Sequence, residues 1–179
     1  MQSPELSQDY FELLGLNPAF DIDPALLHAA QQRLQASHHP DRYVGSSDQD
    51  KRLSVQIASR VNQAYETLRD PVKRSRYLLE INGANLPDDS ATTADTEFLM
   101  EQIELREAVD ACRDGEDALA RSKLIETRLE QRASDLAQVF VACFNADRFD
   151  EAIEASRKMQ FVQRIQQQLA ELQFELEDF

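Results

Sequence analysis

Apolar residues in this chain recur at three- and four-residue intervals and show no run of strict alternation, so the pattern predicts helices. Tyr10, Phe11, Leu13 and Leu14 make a short first helix, opened by Ser7 or Asp9 and stopped by Gly15 ahead of Asn17-Pro18. A second starts at Asp23-Pro24, an N-cap followed by a first-turn proline, and carries Leu27, Ala30, Leu34 and His38 at helical spacing. It must stop near His38, because Pro40 lacks an N–H and pushes His39 out of the helical region. Gly45-Ser46-Ser47-Asp48 is loop composition. A third run places Leu53, Ile57, Val61, Ala64 and Leu68 on one stripe, with Tyr65 beside it, and ends at Asp70-Pro71. Two such stripes joined by a polar loop imply an antiparallel pair, with the first helix packed over it. Lys73 to Ile81 reads as another short helix, with Tyr77, Leu78, Leu79 and Ile81 to bury, stopped by Gly83.

The segment Ala84–Asp95, with its Leu86-Pro87-Asp88-Asp89-Ser90 stretch, is polar and turn-rich, which reads as a connection between domains. Three helical runs follow, Thr96–Cys112, Glu116–Phe144 and Phe149 to about Leu176, separated by Asp114-Gly115 and Asn145-Ala146-Asp147. Short turns between long amphipathic helices make antiparallel neighbours, hence a three-helix bundle. Ile125, Leu129, Leu136, Phe140 and Cys143 form the buried stripe of the middle helix; Val162, Ile165, Leu169, Leu172 and Leu176 form that of the last. The expected architecture is all-α: a helical N-terminal domain over residues 1–82, a linker over 83–95, and a C-terminal bundle over 96–179.

The first bundle helix has two apolar faces. At about 100° per residue, Phe98, Leu105, Val109 and Cys112 fall within roughly 60° of one another, an ordinary core face. Leu99, Met100 and Ile103 gather on the other side within roughly 100°, interleaved with Arg106 and Glu107 and bordered by Glu104. A three-helix bundle buries one face per helix, so the second cluster is expected in solvent, as an apolar patch with charged edges suited to a protein partner. Docking on the N-terminal domain or padding a homodimer is the plainer use of it.

Charge narrows the partners. The chain of 179 residues carries a net charge of −14, which argues against nucleic acid, since phosphate binding needs clustered Lys and Arg. The acidity is uneven: 9 basic against 11 acidic residues through Asn82, then 10 against 22 from Gly83 onward, or −2 and −12. The longest apolar runs fall far short of a membrane span, and Met1-Gln2-Ser3-Pro4-Glu5-Leu6 has neither the basic start nor the apolar core of an export signal, so a cytoplasmic protein is expected. Cys112 and Cys143 fall on helical stripes and are expected as buried free thiols. No catalytic or metal site is expected. Adjacent His38 and His39 cannot both turn easily to one ion, His28 is most simply a surface or partly packed residue, no serine–histidine or cysteine–histidine pairing of a nucleophilic site stands out in the sequence, and 4 glycines supply no phosphate loop.

Three motifs in order carry a family resemblance: Asp9-Tyr10-Phe11-Glu12-Leu13-Leu14-Gly15-Leu16, the loop tripeptide His39-Pro40-Asp41, and Val61-Asn62-Gln63-Ala64-Tyr65-Glu66-Thr67-Leu68. Together they resemble a J-domain, whose tripeptide docks on a heat-shock chaperone of the DnaK class and stimulates its ATP hydrolysis. The resemblance puts that role on His39, Pro40 and Asp41. The helix before the tripeptide has fewer basic residues than is usual in that family: Gln31-Gln32-Arg33-Leu34-Gln35 offers only Arg33, so Arg33 and Arg42 are the cations assigned to the chaperone contact, with Lys51 and Arg52 in support. Farther on, Phe98-Leu99-Met100-Glu101-Gln102-Ile103-Glu104-Leu105-Arg106-Glu107 with Arg157-Lys158-Met159-Gln160-Phe161 resembles the C-terminal domain of the HscB (yeast Jac1) co-chaperones. That likeness implies a co-chaperone bringing the iron–sulfur scaffold IscU to the chaperone HscA, with no cofactor of its own. Its scaffold-binding surface maps onto Leu99, Met100, Ile103, Glu104, Arg106, Glu107 and Phe161. The wheel supports the first six independently; Phe161 lies at the edge of its own stripe, and its exposure is implied by the resemblance. No paired-cysteine motif opens the chain, which favours a bacterial form. The alternative is a J-domain co-chaperone whose bundle dimerises or binds another client.

Overall fold

The computed structural model describes residues 8–38, 47–87, 95–113 and 117–177. These hold seven helices and no strand: α1 (Tyr10–Leu14), α2 (Pro24–Ser37), α3 (Asp48–Arg69), α4 (Pro71–Ile81), α5 (Thr96–Asp110), α6 (Ala118–Asn145) and α7 (Phe149–Glu177). They separate into two compact units, residues 1–83 and 84–179.

In the first unit α2 and α3 pack on each other, and α1 and α4 pack on α3. Asp9, not Ser7, caps α1. Its carboxylate accepts the Glu12 N–H at 2.9 Å while Glu12 Oε2 accepts the Asp9 N–H at 3.3 Å, a reciprocal box that satisfies two orphan donors. Gly15, at φ 69°, turns the chain out of α1, and the Leu16 N–H reaches back to the Phe11 carbonyl at 2.8 Å. A helix of five residues has little stability of its own. Burial of Phe11 and Leu14 and a contact from α4 hold it: Tyr77 Oη accepts the Tyr10 N–H at 2.8 Å and the two rings stack at 4.4 Å. On the other flank Arg60 of α3 donates to the Gln8 carbonyl at 2.5 Å and lies over the Tyr10 ring.

The predicted stripes form this core, with Leu27, Ala30, Ile57, Val61, Ala64 and Leu68 buried and Leu34 half-buried. Leu53 departs from its stripe and is exposed, as is Ile81 at the end of α4. Asp70-Pro71 ends α3 and starts α4 together, the Asp70 carboxylate accepting the Val72 and Lys73 N–H groups at 2.8 and 3.1 Å. Arg74 braces this corner, donating to the Leu68 carbonyl at 2.6 Å with its guanidinium over Phe20.

The second unit is built on α6 and α7, which pack along their lengths. Leu129, Leu136, Phe140 and Cys143 of α6 meet Val162, Ile165, Leu169 and Leu172 of α7, all buried; Ile125 and Leu176, placed on the same stripes from sequence, are half-buried. α5 adds a third layer, seating Phe98, Leu105 and Val109 on the pair, with Cys112 buried just beyond it. Both cysteines are free and buried.

Candidate functional site

The tripeptide His39-Pro40-Asp41 and Arg42 lie outside the described residues. What is described is the helical frame that leads into and out of that segment. His38 caps α2, its N–H bonded to the Leu34 carbonyl at 3.0 Å, and its ring is buried with Nδ1 unpartnered. Desolvation holds the His38 pKa below its ordinary value, which keeps the imidazole neutral next to the tripeptide. Ser47 restarts the chain as the cap of α3, accepting the Asp50 N–H. Arg33 stands exposed on α2, with its Nη2 beside Gly15: a Cβ there would lie 3.8 Å away.

The second candidate surface is fully described, and α5 divides as its wheel requires. Phe98, Leu105 and Val109 are buried at 4%, 1% and 4% exposure, whereas Leu99, Met100 and Ile103 stand 37%, 62% and 57% exposed. Glu104, Arg106 and Glu107 surround them in solvent. The helix carrying this face is fixed by charged contacts at its edges. Asp95 caps α5 by accepting the Phe98 N–H at 3.0 Å, and its other oxygen takes Lys158 of α7, whose ammonium also lies 5.2 Å over the Phe98 ring. These bonds to Lys158 and the Phe98 N–H hold the Asp95 carboxyl below its usual range. On the α6 side Arg132 Nη2 donates to Glu101 at 2.7 Å, with Nε equally close to the second oxygen but off the line of its N–H. One turn on, Arg128 faces Glu104 across 3.9 Å.

Phe161 corrects the sequence reading. It was expected in solvent, but it is 9% exposed, packed edge-to-face on Phe98 at 5.5 Å and covered by the Arg106 guanidinium 5.4 Å from its ring. The reason is the position of α7, which packs on both α5 and α6 and therefore buries an arc much wider than one helix seam, with Phe161 at its α5 edge. Of the seven residues assigned to the surface, six are in solvent and the seventh supports Arg106 from beneath. Sequence reasoning missed the braces Asp95–Lys158 and Glu101–Arg132, which join residues distant in the chain. It also missed that Leu124 stands exposed, the signal being a leucine among Lys123, Glu126 and Arg128 on the solvated side of α6.

Among the described residues no cluster of His, Cys, Asp or Glu is placed to hold a metal ion, and no helix is long and apolar enough to cross a membrane.

A short capped helix over an antiparallel pair, followed by a separate three-helix unit with one apolar outward face, defines a J-domain co-chaperone, a class whose partner is an Hsp70-type chaperone. Comparison with known proteins agrees for both halves. Residues 9–77 match the family described as DnaJ domain and residues 94–170 the one described as HSCB C-terminal oligomerisation domain. The chain is 36% identical over 174 residues to a co-chaperone protein HscB homolog of Shewanella halifaxensis, spanning 95% of this chain and 99% of the relative. It is 35% identical over 170 residues to co-chaperone protein HscB of Proteus mirabilis, spanning 95% and 98%. Among solved structures, chaperone HscB from Vibrio cholerae superposes with a TM-score of 0.86 at 30% identity, covering 94% of this chain and 99% of that one. The chain belongs to the HscB family, whose members are named co-chaperones, not enzymes.

Proposed function

We propose that this co-chaperone delivers the iron–sulfur scaffold protein IscU to a DnaK-type chaperone, HscA, in the bacterial cytoplasm and stimulates that chaperone's ATPase, so that cluster assembly and transfer proceed. The observation that carries the reading is the outward face of α5: three large aliphatic side chains exposed together on a helix whose opposite face is buried, in a chain of the HscB family. A soluble protein leaves such a group in water chiefly where a partner covers it. On this reading Leu99, Met100, Ile103, Glu104, Arg106 and Glu107 hold the scaffold, with Phe161 fixing Arg106 from below, and His39, Pro40 and Asp41, with Arg33 and Arg42, engage the chaperone.

Holding both partners on one chain raises the local concentration of each for the other, so modest affinity at either end suffices. ATP hydrolysis then closes the chaperone on a client already in reach. The test is the chaperone's ATPase rate with this protein, with IscU and with both; the expected result is stimulation by the pair beyond the product of the separate effects. Asp41→Asn is expected to abolish stimulation and leave IscU affinity unchanged, and unaltered stimulation would refute the tripeptide assignment. The matching domain's description as an oligomerisation domain favours a second reading, in which the bundle pairs with itself; a sedimentation coefficient that rises with concentration in the absence of IscU would support that one.

A further inference from the structure

Between α5 and α6 runs a groove of about 530 Å³ that neither surface above accounts for. Its base is Leu105, almost wholly buried. One bank is α5 with Glu101; the other is α6, with Leu124, Thr127, Arg128 and Arg132. Leu124 is 73% exposed, the most exposed of the large apolar side chains among the described residues. On α6 it sits about 140° around the helix from Leu129 of the core stripe, so packing within the bundle does not require it. One exposed leucine is ordinary on a protein surface. This one flanks an open groove that adjoins the outward face of α5: Glu104, on that face, lies 3.9 Å from Arg128, which lines the groove.

Resting on the client reading above, we infer that the client's footprint does not end on α5 but crosses this groove. An aliphatic side chain of the client seats between Leu124 and α5 above Leu105, while basic groups of the client meet the carboxylates of Glu104, Glu107 and Asp135. Charge decides the occupant. Within the groove Glu101 and Asp135 balance Arg128 and Arg132, but the segment from Gly83 onward carries 22 acidic against 10 basic residues, so a second copy would press like charge against like around it, whereas a client with a basic, aliphatic contact gains on both counts.

The experiment uses the full chain and purified IscU in titration calorimetry, with Leu124→Ala, the groove-filling Thr127→Arg and Leu99→Ala compared. Leu124→Ala is expected to weaken binding roughly tenfold, in the range of a truncated interface anchor, and Thr127→Arg by at least as much. Both positions are exposed, so the unfolding midpoint and the client-free ATPase stimulation are expected to stay at native values. Loss of affinity in Leu99→Ala with native affinity in both groove variants overturns the extension and leaves the α5 surface standing. Native affinity in all three overturns the client reading and this inference with it. Native affinity in the groove variants with a lowered sedimentation coefficient for the protein alone would make the groove a self-association seat and also overturn the inference.

Discussion

Replacing Leu99, Met100 and Ile103 together by alanine separates what α5 is proposed to do for a client from what it does for the fold. At 37%, 62% and 57% exposure the three residues present on the order of 300 Å² of apolar surface, worth at most ~8 kcal/mol if a partner covered all of it at about 25 cal/mol per Å². Alanine keeps part of that area, and contacts in one cluster are not additive, so the expected loss is about 3 kcal/mol of binding, on the order of a hundredfold in Kd. The cost to folding runs the other way. These side chains touch little of the core, and alanine is the better helix former by a few tenths of a kcal/mol per site, so the unfolding midpoint should hold or rise slightly. Calorimetry against IscU reads the first quantity, thermal unfolding the second, and ATPase stimulation without IscU reports that the J-domain is intact. Native affinity in the triple variant would refute the assignment of the client surface. A fall in unfolding midpoint by several degrees would refute the division of α5 into a core face and a free one.

Phe161→Ala behaves differently, because it opens a cavity under Arg106 beside Phe98: a loss of about 3–4 kcal/mol of stability is expected by chemical denaturation, and any loss of client affinity will follow that change instead of reporting a contact. The Asp95 carboxyl has its folded pKa below the unfolded one, so its contribution is complete above the ordinary carboxylate range near 4 and fades as pH falls through it; the midpoint difference between native protein and Asp95→Asn should be larger at pH 7 than at pH 3. His38 has the opposite charge sense. Its folded pKa is also depressed, so the unfolded chain takes up the proton first, and stability is full above about pH 6.5 and declines below it. His38→Leu should lose less midpoint than the native protein between pH 7.5 and pH 5.5, and an equal loss in both would dismiss the role of His38.

Periodicity made the helices legible because each core stripe is local: spacing alone placed Phe98, Leu105 and Val109 on one side of α5 and Leu99, Met100 and Ile103 on the other, and solvent exposure follows that division. The tripeptide was legible as a motif, and its segment lies outside the described residues. Phe161 was not legible in the same way. A wheel shows where a stripe is centred but not how many neighbours a helix has, and α7 packs against two, so its buried arc exceeds the seam that the wheel implied. The charged braces were illegible for a related reason: Asp95 and Lys158 stand 63 positions apart, and nothing in the spacing of either announces the other.

Tyr77 bears on the length of the N-terminal module. Its hydroxyl and ring secure Tyr10, 67 positions earlier, so the middle of α4 closes over the beginning of α1. A fragment cut within α4 ahead of Tyr77 would keep the pair of α2 and α3 but release the first helix from that clasp. A transplantable J-module from this chain therefore has to reach through α4 to Ile81, although the tripeptide proposed to meet the chaperone ends at Asp41.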